Sequence, residues 1–357
     1  MSGPSRTDIE AALAKSGLLA DARIESADAS DGRVSVVLSI ERAFAAKAEA
    51  LRPAAEKALK SLPGAREASV VFTAHREPHA HYHARPAARE LAIPGVKALI
   101  AVASGKGGVG KSTVAVNLAV ALANQGKKIG LLDADIYGPS VPHLLGLAGR
   151  KPESDGKKLQ PMLAHGIKAM SIGFLIDVDT PMIWRGPMVV SALSQLMTDV
   201  DWGELDLLVM DLPPGTGDAQ LTIAQRVRLS GAVIVSTPQD IALIDARKAL
   251  AMFRKTQVTI LGLVENMSTF VCPHCGEATP IFGHGGARET AAKLDAPFLG
   301  EIPLTLALRE TSDAGTPIAA AQPDSMEAKA FAALATQVWN ALSSGAHARP
   351  APKIVIE

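Results

Sequence analysis

The chain has 357 residues, of which 48% are apolar and 4% aromatic, and its 36 Lys and Arg balance its 36 Asp and Glu. This length predicts two domains, and the neutral balance excludes the global positive field that draws nucleic acid or an anionic membrane. With only two cysteines, the chain is not a disulfide-stabilised scaffold. It shows no hydrophobic signal region and no apolar run near the ~20 residues of a membrane-spanning helix, so we expect a cytoplasmic protein.

The first predicted domain, residues 1–73, is a small α/β unit. It contains neither a cysteine nor a recognisable catalytic constellation. The hydrophobic pattern predicts two helices and three strands. In chain order these are a helix at Asp8–Lys15, strands at Asp21–Ser26 and Arg33–Ile40, a helix from about Phe44 to Leu62 and a strand at Ala68–Thr73.

Residues 74–94 have the composition of a linker, rich in Pro, Ala and charged residues. His79, His81 and His83 alternate there, so an extended segment would present them on one side as a weak transition-metal site. A solvated hinge is the preferred interpretation of the same composition.

A glycine-rich segment at Ser104–Thr113, SGKGGVGKST, fits the phosphate-binding pattern G-x-x-x-x-G-K-S/T in full. The apolar run at 98–102 predicts a buried strand before it, and Val114–Asn124 has apolar residues at helical spacing after it. This context predicts a nucleoside triphosphate site, because backbone N–H groups and a helix N-terminus converge on the phosphates. We expect Lys111 to reach the β- and γ-phosphates and the Ser112 hydroxyl to bind Mg²⁺. The residues expected to contact nucleotide here are Gly105, Lys106, Gly107, Gly108, Val109, Gly110, Lys111, Ser112 and Thr113.

Lys106 is a second lysine inside this loop, where Lys111 already supplies the charge that one chain needs on the phosphates. The side chain of Lys106 is expected to point outward along the nucleotide. There it would reach the phosphates of a facing subunit, as an arginine finger does. The alternative is a solvated surface lysine.

Residues 95–344 alternate strand-like and helix-like segments and form the second predicted domain. Continuous apolar strands of this kind are typical of an α/β fold with a mostly parallel sheet flanked by helices on both faces, as in P-loop NTPases. Ligands then bind at the carboxyl ends of the strands. Residues 345–357 are predicted to be a flexible tail. The strand-like runs lie at 98–103, 128–133, 206–211, 231–236, 259–264 and about 297–300.

Two of these strands end in carboxylates that would face the phosphates. One ends with Asp133 and Asp135, and another ends at Asp211 in the Walker B form, whose Asp holds Mg²⁺ through water. We expect Asp133 to support Mg²⁺ or its water shell, and Gly215 to offer its N–H to the γ-phosphate. A structural role in capping the turn at 136–140 is the alternative for Asp133 and Asp135.

Asn266 follows the apolar run at 259–264 at the same rim of the predicted sheet. Its amide can both accept and donate hydrogen bonds at an adenine edge, with the backbone of 300–304 beside the base. Because Asn at a strand end is as often a turn former, both interpretations stay open.

Cys272 and Cys275 are the only cysteines of the chain and form a C-x₂-C pair. Two thiolates at this spacing converge on one metal ion or cluster, but structural zinc and [4Fe–4S] sites usually take four protein ligands. Either His274 or His284 completes the set, or a second copy of the chain supplies the other pair on a two-fold axis. A redox dithiol is a further alternative, although such pairs usually open a helix.

These motifs resemble known families. The loop GKGGVGKST is similar to the deviant Walker A loop of the signature-lysine ATPases, which dimerise around nucleotide. Residues 1–73 resemble the metal–sulfur-assembly domain often fused to iron–sulfur carriers, without the cysteine that its members often carry. Over about 95–340 the chain resembles the Mrp/ApbC-type iron–sulfur cluster carriers through GKGGVGKST, DADIYGPS, IWRGPM around Arg185, DLPPGTGD, VENMS, FVCPHCG and IFGHGG.

The resemblance implies a homodimeric ATPase that holds a bridging [4Fe–4S] cluster on Cys272 and Cys275 and passes it from a donor scaffold to recipient apo-proteins. It also implies that Asp135 orients or activates the attacking water, that Asn266 contacts adenine, and that Lys106 acts in hydrolysis. A partitioning or septum-placing ATPase is an alternative, but such proteins need an amphipathic C-terminal helix or a basic surface. A P-loop ATPase with structural zinc is another. We expect neither nucleic-acid nor membrane partners.

Overall fold

The computed structural model divides into two compact units, Met1–Pro86 and Ala87–Glu357. His79, His81 and His83 of the predicted linker, Arg185 and the predicted tail at 345–357 lie outside the described residues. The structure describes residues 4–16, 19, 22–30, 32–40, 45–74, 92–176 and 186–344.

The first unit is a three-stranded sheet with two helices that share its core. Its elements are α1 Arg6–Lys15, β1 Ala22–Ser30, β2 Arg33–Ile40, α2 Ala45–Lys60 and β3 Glu67–Ala74. The central strand β2 is antiparallel to β1 and parallel to β3. Because side chains alternate along a strand, Val34, Val36 and Leu38 of β2 all point into one core, where Leu13 and Leu59 of the helices are also fully buried. The predicted order of helices and strands is thus observed.

The second unit is built on a nine-stranded sheet. Its strands are β4 Leu99–Ala103, β5 Ile129–Asp133, β6 Met162–Ala164, β7 Ile167–Ser171, β8 Leu207–Asp211, β9 Gly231–Ser236, β10 Ile260–Val271, β11 Ala278–Thr279 and β12 Phe298–Leu304. Their order is β11-β10-β9-β4-β8-β5-β7-β6, and β12 also pairs with β10. The described pairs are parallel except for β6 with β7 and β11 with β10.

Nine α-helices of the second unit lie within the described residues. They are α3 Lys111–Asn124, α4 Val141–Leu144, α5 Gly186–Thr198, α6 Asp218–Arg226, α7 Asp240–Lys255, α8 Gly286–Lys293, α9 Leu306–Asp313, α10 Ile318–Ala321 and α11 Met326–Ser343. Every residue of β4, β5, β8 and β9 is buried, as expected for parallel strands covered on both faces. The predicted fold class is therefore confirmed. Within the described part of the chain, no helix combines the length and the apolar character needed to cross a membrane.

The carboxyl ends of the central strands meet at one edge of this sheet. The strand β4 leads into the glycine loop, and its neighbour β8 ends at Asp211. The next strand, β5, ends at Asp133, which pairs in register with Asp211. The register thus places two carboxylates from distant parts of the chain side by side, beside the predicted phosphate site.

Candidate functional site

The glycine loop has a backbone course that requires glycine at specific places. Gly110, the residue before α3, has a left-handed φ of 78°. A Cβ added to Gly105 would collide with the backbone carbonyl group of Asp245 in α7, so the loop can approach this helix only without a side chain. The loop therefore ends at the N-terminus of α3, where backbone N–H groups and the helix dipole favour an anion.

Lys111 and Asp211 form a buried ion pair at the centre of the site. The Nζ atom of Lys111 lies 2.6 Å from Oδ1 of Asp211 and 3.1 Å from Oγ of Ser112. The other carboxylate oxygen of Asp211, Oδ2, is buried and has no hydrogen-bond partner among the described residues. A buried acceptor without a partner is costly unless a cation or water meets it, so this position fits Mg²⁺ or one of its waters.

Asp133 is fully buried, and both of its carboxylate oxygens accept hydrogen bonds. Oδ1 accepts from the N–H of Asp135 at 3.1 Å, while Oδ2 accepts from the N–H of Val141 at 3.2 Å and the hydroxyl of Ser171 at 3.0 Å. Burial, followed by the charge of Asp211, raises the pKa of Asp133 to about 7. These contacts match the capping alternative, because Asp133 holds the loop that carries Asp135. Its support of Mg²⁺ stays a prediction.

Asp135 lines a cleft of about 620 Å³ together with Tyr137, Pro213, Pro214 and Gln220. Burial raises the pKa of Asp135, against the charge of Lys111, which lowers it. A carboxylate with a raised pKa beside a phosphate site can accept a proton from water at moderate pH. The predicted action of Asp135 on water is untested but chemically consistent with this position.

The N–H of Gly215 donates to the carbonyl of Ser104 at 3.0 Å. In this conformation the group is engaged at the base of the glycine loop, and its contact with the γ-phosphate stays a prediction. Gln220, which is buried, donates to the carbonyl of Pro213 and thereby fixes the same segment. A contact between Gly215 and phosphate would require the bond to Ser104 to break.

Asn266 is buried, and its Nδ2 donates to the carbonyl of Val109 at 2.8 Å. A Cβ on Gly110 would collide with the same Nδ2 atom. The amide thus braces the tightest turn of the glycine loop. One of its two N–H groups is occupied in this way, and the adenine contact of Asn266 stays a prediction.

Lys106 is exposed in the glycine loop, and its backbone carbonyl accepts a hydrogen bond of 2.9 Å from the Ser104 hydroxyl. This bond fixes the backbone at Lys106 and leaves the side chain toward solvent. That the Lys106 side chain reaches the phosphates of a facing subunit stays a prediction.

The two cysteines lie in the hairpin between β10 and β11. The N–H of Cys272 donates to the carbonyl of Glu277 at 3.0 Å, and the N–H of Gly276 donates back to the Cys272 carbonyl at 2.9 Å. This hairpin leaves Cys272 half-buried and Cys275 exposed. Hydrogen bonds from the backbone N–H groups of Cys275 and His274, and then from the Cys275 thiol, lower the pKa of the Cys272 thiol. A lower pKa favours the thiolate, which is the form that binds metals.

His284 has partners other than the cysteines. Its Nε2 lies 2.8 Å from one carboxylate oxygen of Glu301, whose other oxygen accepts from Arg288 at 2.9 Å. Glu265, fully buried, accepts two backbone N–H bonds of 2.7 Å at the start of α8. In the part of the chain that the structure describes, the one group of three potential metal ligands is Glu265, His284 and Glu301, without either cysteine. This arrangement disfavours a zinc site made by both cysteines and His284 of one chain.

Sequence reasoning missed Glu265 and Glu301. They are paired in register on β10 and β12, next to Asn266. Glu265 directly follows the apolar run Leu261–Val264. An acid at the end of such a run is a signal that sequence reasoning can use, because a buried carboxylate needs hydrogen-bond partners. The identity of those partners depends on the pairing of β10 with β12.

Two family models match the chain. One is described as a NUBPL iron-transfer P-loop NTPase and matches residues 95–339, more than half of the chain. The chain belongs to the NUBPL iron-transfer P-loop NTPase family. The other model is described as an iron–sulfur cluster assembly protein and matches residues 6–71. The predicted resemblance of each unit to iron–sulfur proteins is confirmed.

Curated relatives of this NUBPL-family chain carry iron–sulfur names. It is 57% identical to an iron–sulfur protein required for NADH dehydrogenase in mitochondria of Arabidopsis thaliana, over 71% of this chain and 81% of the relative. It is 54% identical to the iron–sulfur cluster transfer protein NUBPL of Mus musculus, over 72% of this chain and 81% of the relative. It is 53% identical to the iron–sulfur cluster carrier protein of Escherichia coli K12, over 69% of this chain and 67% of the relative. This NUBPL-family chain is therefore an iron–sulfur cluster carrier or transfer protein, and a P-loop ATPase by family.

Solved structures support the same fold. A nucleotide-binding protein of Archaeoglobus fulgidus, in complex with ADP, is 48% identical with a TM-score of 0.55, over 62% of this chain and 87% of the other. The cell division ATPase MinD of Pyrococcus furiosus is 23% identical with a TM-score of 0.50, over 68% of this chain and 98% of MinD. At that identity MinD is similar in fold alone. The NUBPL family, rather than a septum-placing family, is the group to which this chain belongs.

Proposed function

We propose that this chain binds and hydrolyses Mg-ATP as a homodimer and carries a [4Fe–4S] cluster that Cys272 and Cys275 of two copies hold between them. It receives the cluster from a donor scaffold and delivers it to apo-proteins. The observation that carries this proposal is a shortage of thiolate ligands. The whole sequence has two cysteines, both in one hairpin, and His284 is held by Glu301.

The nucleotide part of the proposal is supported by the ion pair and the glycine loop. ATP would take Lys111 from Asp211 onto its phosphates, and Ser112 and Asp211 would hold Mg²⁺, directly and through water. Mg²⁺ supplies positive charge to the β- and γ-phosphates when bound. The ADP complex of the Archaeoglobus fulgidus protein, which is 48% identical to this chain, supports nucleotide binding.

Hydrolysis is assigned to Asp135 and Lys106. Asp135 would orient or activate water in its cleft, since burial makes its carboxylate a better proton acceptor than an exposed aspartate. Lys106 would meet the phosphates of the facing subunit, where a cation stabilises the charge that develops in transfer. Its exposure in the free chain is what such a contact between subunits needs.

One strand connects the nucleotide loop to the cysteines. Asn266 of β10 contacts the loop at Val109, and Cys272 follows the last residue of the same strand. A change in the loop on nucleotide binding would therefore reach the cysteine hairpin through β10. We propose that nucleotide state shifts the dimer between holding and releasing the cluster, a coupling that must be reciprocal.

The two-domain arrangement stays part of the proposal: an N-terminal domain at 1–73, a linker at 74–94, the ATPase domain at 95–344 and a tail at 345–357. The match of residues 6–71 to an iron–sulfur cluster assembly model supports a role of the first domain in meeting other assembly proteins. Cytoplasmic location and the absence of membrane and nucleic-acid partners stay predictions.

Anaerobic reconstitution of the full chain with iron and sulfide tests the cluster assignment. We expect about two iron and two sulfide per chain, with visible absorption and a dimer by light scattering. Cys272→Ala and Cys275→Ala should each lose the cluster and keep ATP binding. A loaded protein that retains its colour as a strict monomer contradicts the proposal.

Two control variants separate the alternatives. His284→Ala should leave the cluster intact, whereas loss of metal in this variant would indicate a zinc site shared with the histidine. Lys106→Ala should retain ATP binding and lose hydrolysis, while Lys255→Ala, at an exposed lysine of α7, should retain both. Full hydrolysis by Lys106→Ala would show that Lys106 is a solvated lysine.

A further inference from the structure

A basic surface lies around the edge strand β6, far from the motifs discussed so far. We name it the β6 edge surface and define it by Arg150, Lys151, Lys157, Lys158 and Leu163. All four cations are exposed, and none of them forms an ion pair with a carboxylate of the described residues. The segment 150–168 contains five Lys or Arg and two acids in a chain of zero net charge. Its charge therefore favours an anionic partner.

The backbone of β6 offers an unpaired strand edge. Ala164 pairs with Ile167 across a two-residue turn in which His165 has a φ of 48°. In such a hairpin the two opposite residues next to the turn exchange backbone N–H···O=C hydrogen bonds, and the two residues of the following pair do not. That following pair is Leu163 with Lys168, so the N–H and C=O of Leu163 turn to the outer side of the sheet. An edge of this kind is a template for another strand.

Leu163 also separates two clefts that could receive side chains. Its own side chain is 73% exposed, and it lines cavities of about 730 Å³ and 580 Å³ on its two sides. The larger cleft is lined by the buried residues Ile129, Ile167 and Leu205 and by the charged residues Lys128, Lys168 and Glu204. This cleft lies at the amino ends of β5 and β7, opposite to the carboxyl ends that carry the nucleotide site. An occupant here would not compete with ATP.

We propose that the β6 edge surface binds an extended acidic segment of another polypeptide. The segment adds as a short strand outside β6, places an apolar side chain beside Leu163 and sets carboxylates against Arg150 and Lys151, which line one cleft together with Leu163. A polypeptide fits better than a nucleic acid, because a nucleic acid has no apolar side chain to place beside Leu163 and its phosphates cannot donate a hydrogen bond to the C=O of Leu163. In a protein that exchanges its cargo with others, such a surface holds a partner without covering the cysteines.

Titration of the full chain with a labelled decapeptide of alternating Glu and Val tests the proposal. We expect the decapeptide to bind at least about tenfold more tightly than its Gln and Val analogue, because charge contributes to the contact. Methylation of alternate backbone nitrogens should abolish binding, since an added strand needs those N–H groups. The N–H of Leu163 should become protected from hydrogen exchange.

Variants locate the contact. Leu163→Asn and Lys151→Glu should each weaken binding of the decapeptide by about tenfold, whereas the matched Lys255→Glu on α7 should not. ATP binding should be unchanged in all three and serves as the test of folding. The proposal is overturned if the decapeptide binds Leu163→Asn as well as the wild type, or does not bind at millimolar concentration. It is also overturned if single-stranded DNA of equal charge binds more tightly and ignores Leu163→Asn, which would indicate a general polyanion surface.

Discussion

The ammonium group of Lys111 lies 2.6 Å from a carboxylate oxygen of Asp211, although the two residues are 100 positions apart in the chain. The side chains of this pair are 6% and 0% exposed. The cation expected to bind phosphate and the anion expected to bind Mg²⁺ thus neutralise each other in this conformation. Nucleotide has to separate them, so the pair links the stability of the free protein to its affinity for ATP.

Lys111→Met should destabilise the second unit by about 3 kcal/mol, because it leaves the buried carboxylate of Asp211 without a partner. Adding Asp211→Asn should recover most of that loss while ATP binding stays abolished. Urea unfolding followed by tryptophan fluorescence measures this unit alone, since all three tryptophans lie after residue 86. A double variant as unstable as Lys111→Met would show that the ion pair is not the cause.

Asn266→Ala should weaken ATP and GTP by the same factor, about tenfold, because it removes the brace from the Val109 carbonyl rather than a contact to the base. Equilibrium binding of both nucleotides measures the factor. Asn124→Ala, which removes a similar amide bond of 2.8 Å to the carbonyl of Ala319, should cost stability and leave both affinities unchanged. A loss confined to ATP would instead establish the adenine contact.

Stability should fall as pH rises from about 4 to 7. The pKa of Asp133 is raised from 3.8 to about 7, so over this range the native state keeps a proton that the unfolded state has released. The free energy of unfolding then decreases by up to ~1.4 kcal/mol per pH unit, and this loss is complete above about pH 7. Asp133→Asn should make the slope shallower, as measured by urea unfolding at several pH values. A smaller slope of the same sign should remain, because the pKa of Asp135 is also raised.

Asp155→Asn is the control for that profile. Hydrogen bonds from the N–H groups of Lys158 and Lys157 lower the pKa of Asp155, so its contribution is present above 3.8 and is lost only as pH falls further. The variant should therefore match the wild type between pH 4.5 and 7.5. An unchanged slope in Asp133→Asn would assign the pH dependence to another group.

Cys272 should be alkylated at a lower pH than an ordinary cysteine. Hydrogen bonds from Cys275 and His274 lower the pKa of its thiol, and the thiolate is the reactive form. Iodoacetamide labelling of the metal-free chain, read by mass spectrometry across pH, gives the midpoint for this residue. Cys275→Ser should retain most of the effect, because the backbone N–H bonds are its larger cause. A midpoint at or above 9.0, the ordinary value, would show that the hairpin does not activate Cys272.

Local sequence patterns determined the central strands of this fold and the positions of its motifs, whereas β6, β7 and β11 were not predicted. The continuous apolar runs of β4, β5, β8 and β9 predicted buried parallel strands, since a strand covered on both faces needs apolar residues throughout. The glycine loop was equally readable, because the spacing of its glycines and Lys111 follows from the shape of a phosphate group. The cysteine pair was visible as the only two thiols of the chain.

Only the tertiary structure decided which groups these motifs contact. The N–H of Gly215 donates to the carbonyl of Ser104, and the side-chain amide of Asn266 donates to the carbonyl of Val109. The imidazole of His284 is hydrogen-bonded to the carboxylate of Glu301. Each contact joins segments far apart in sequence, so it depends on strand order, register and close packing rather than on local propensity. Sequence patterns specify which side chains are available at a strand end, whereas the pairing of the strands determines what stands opposite them.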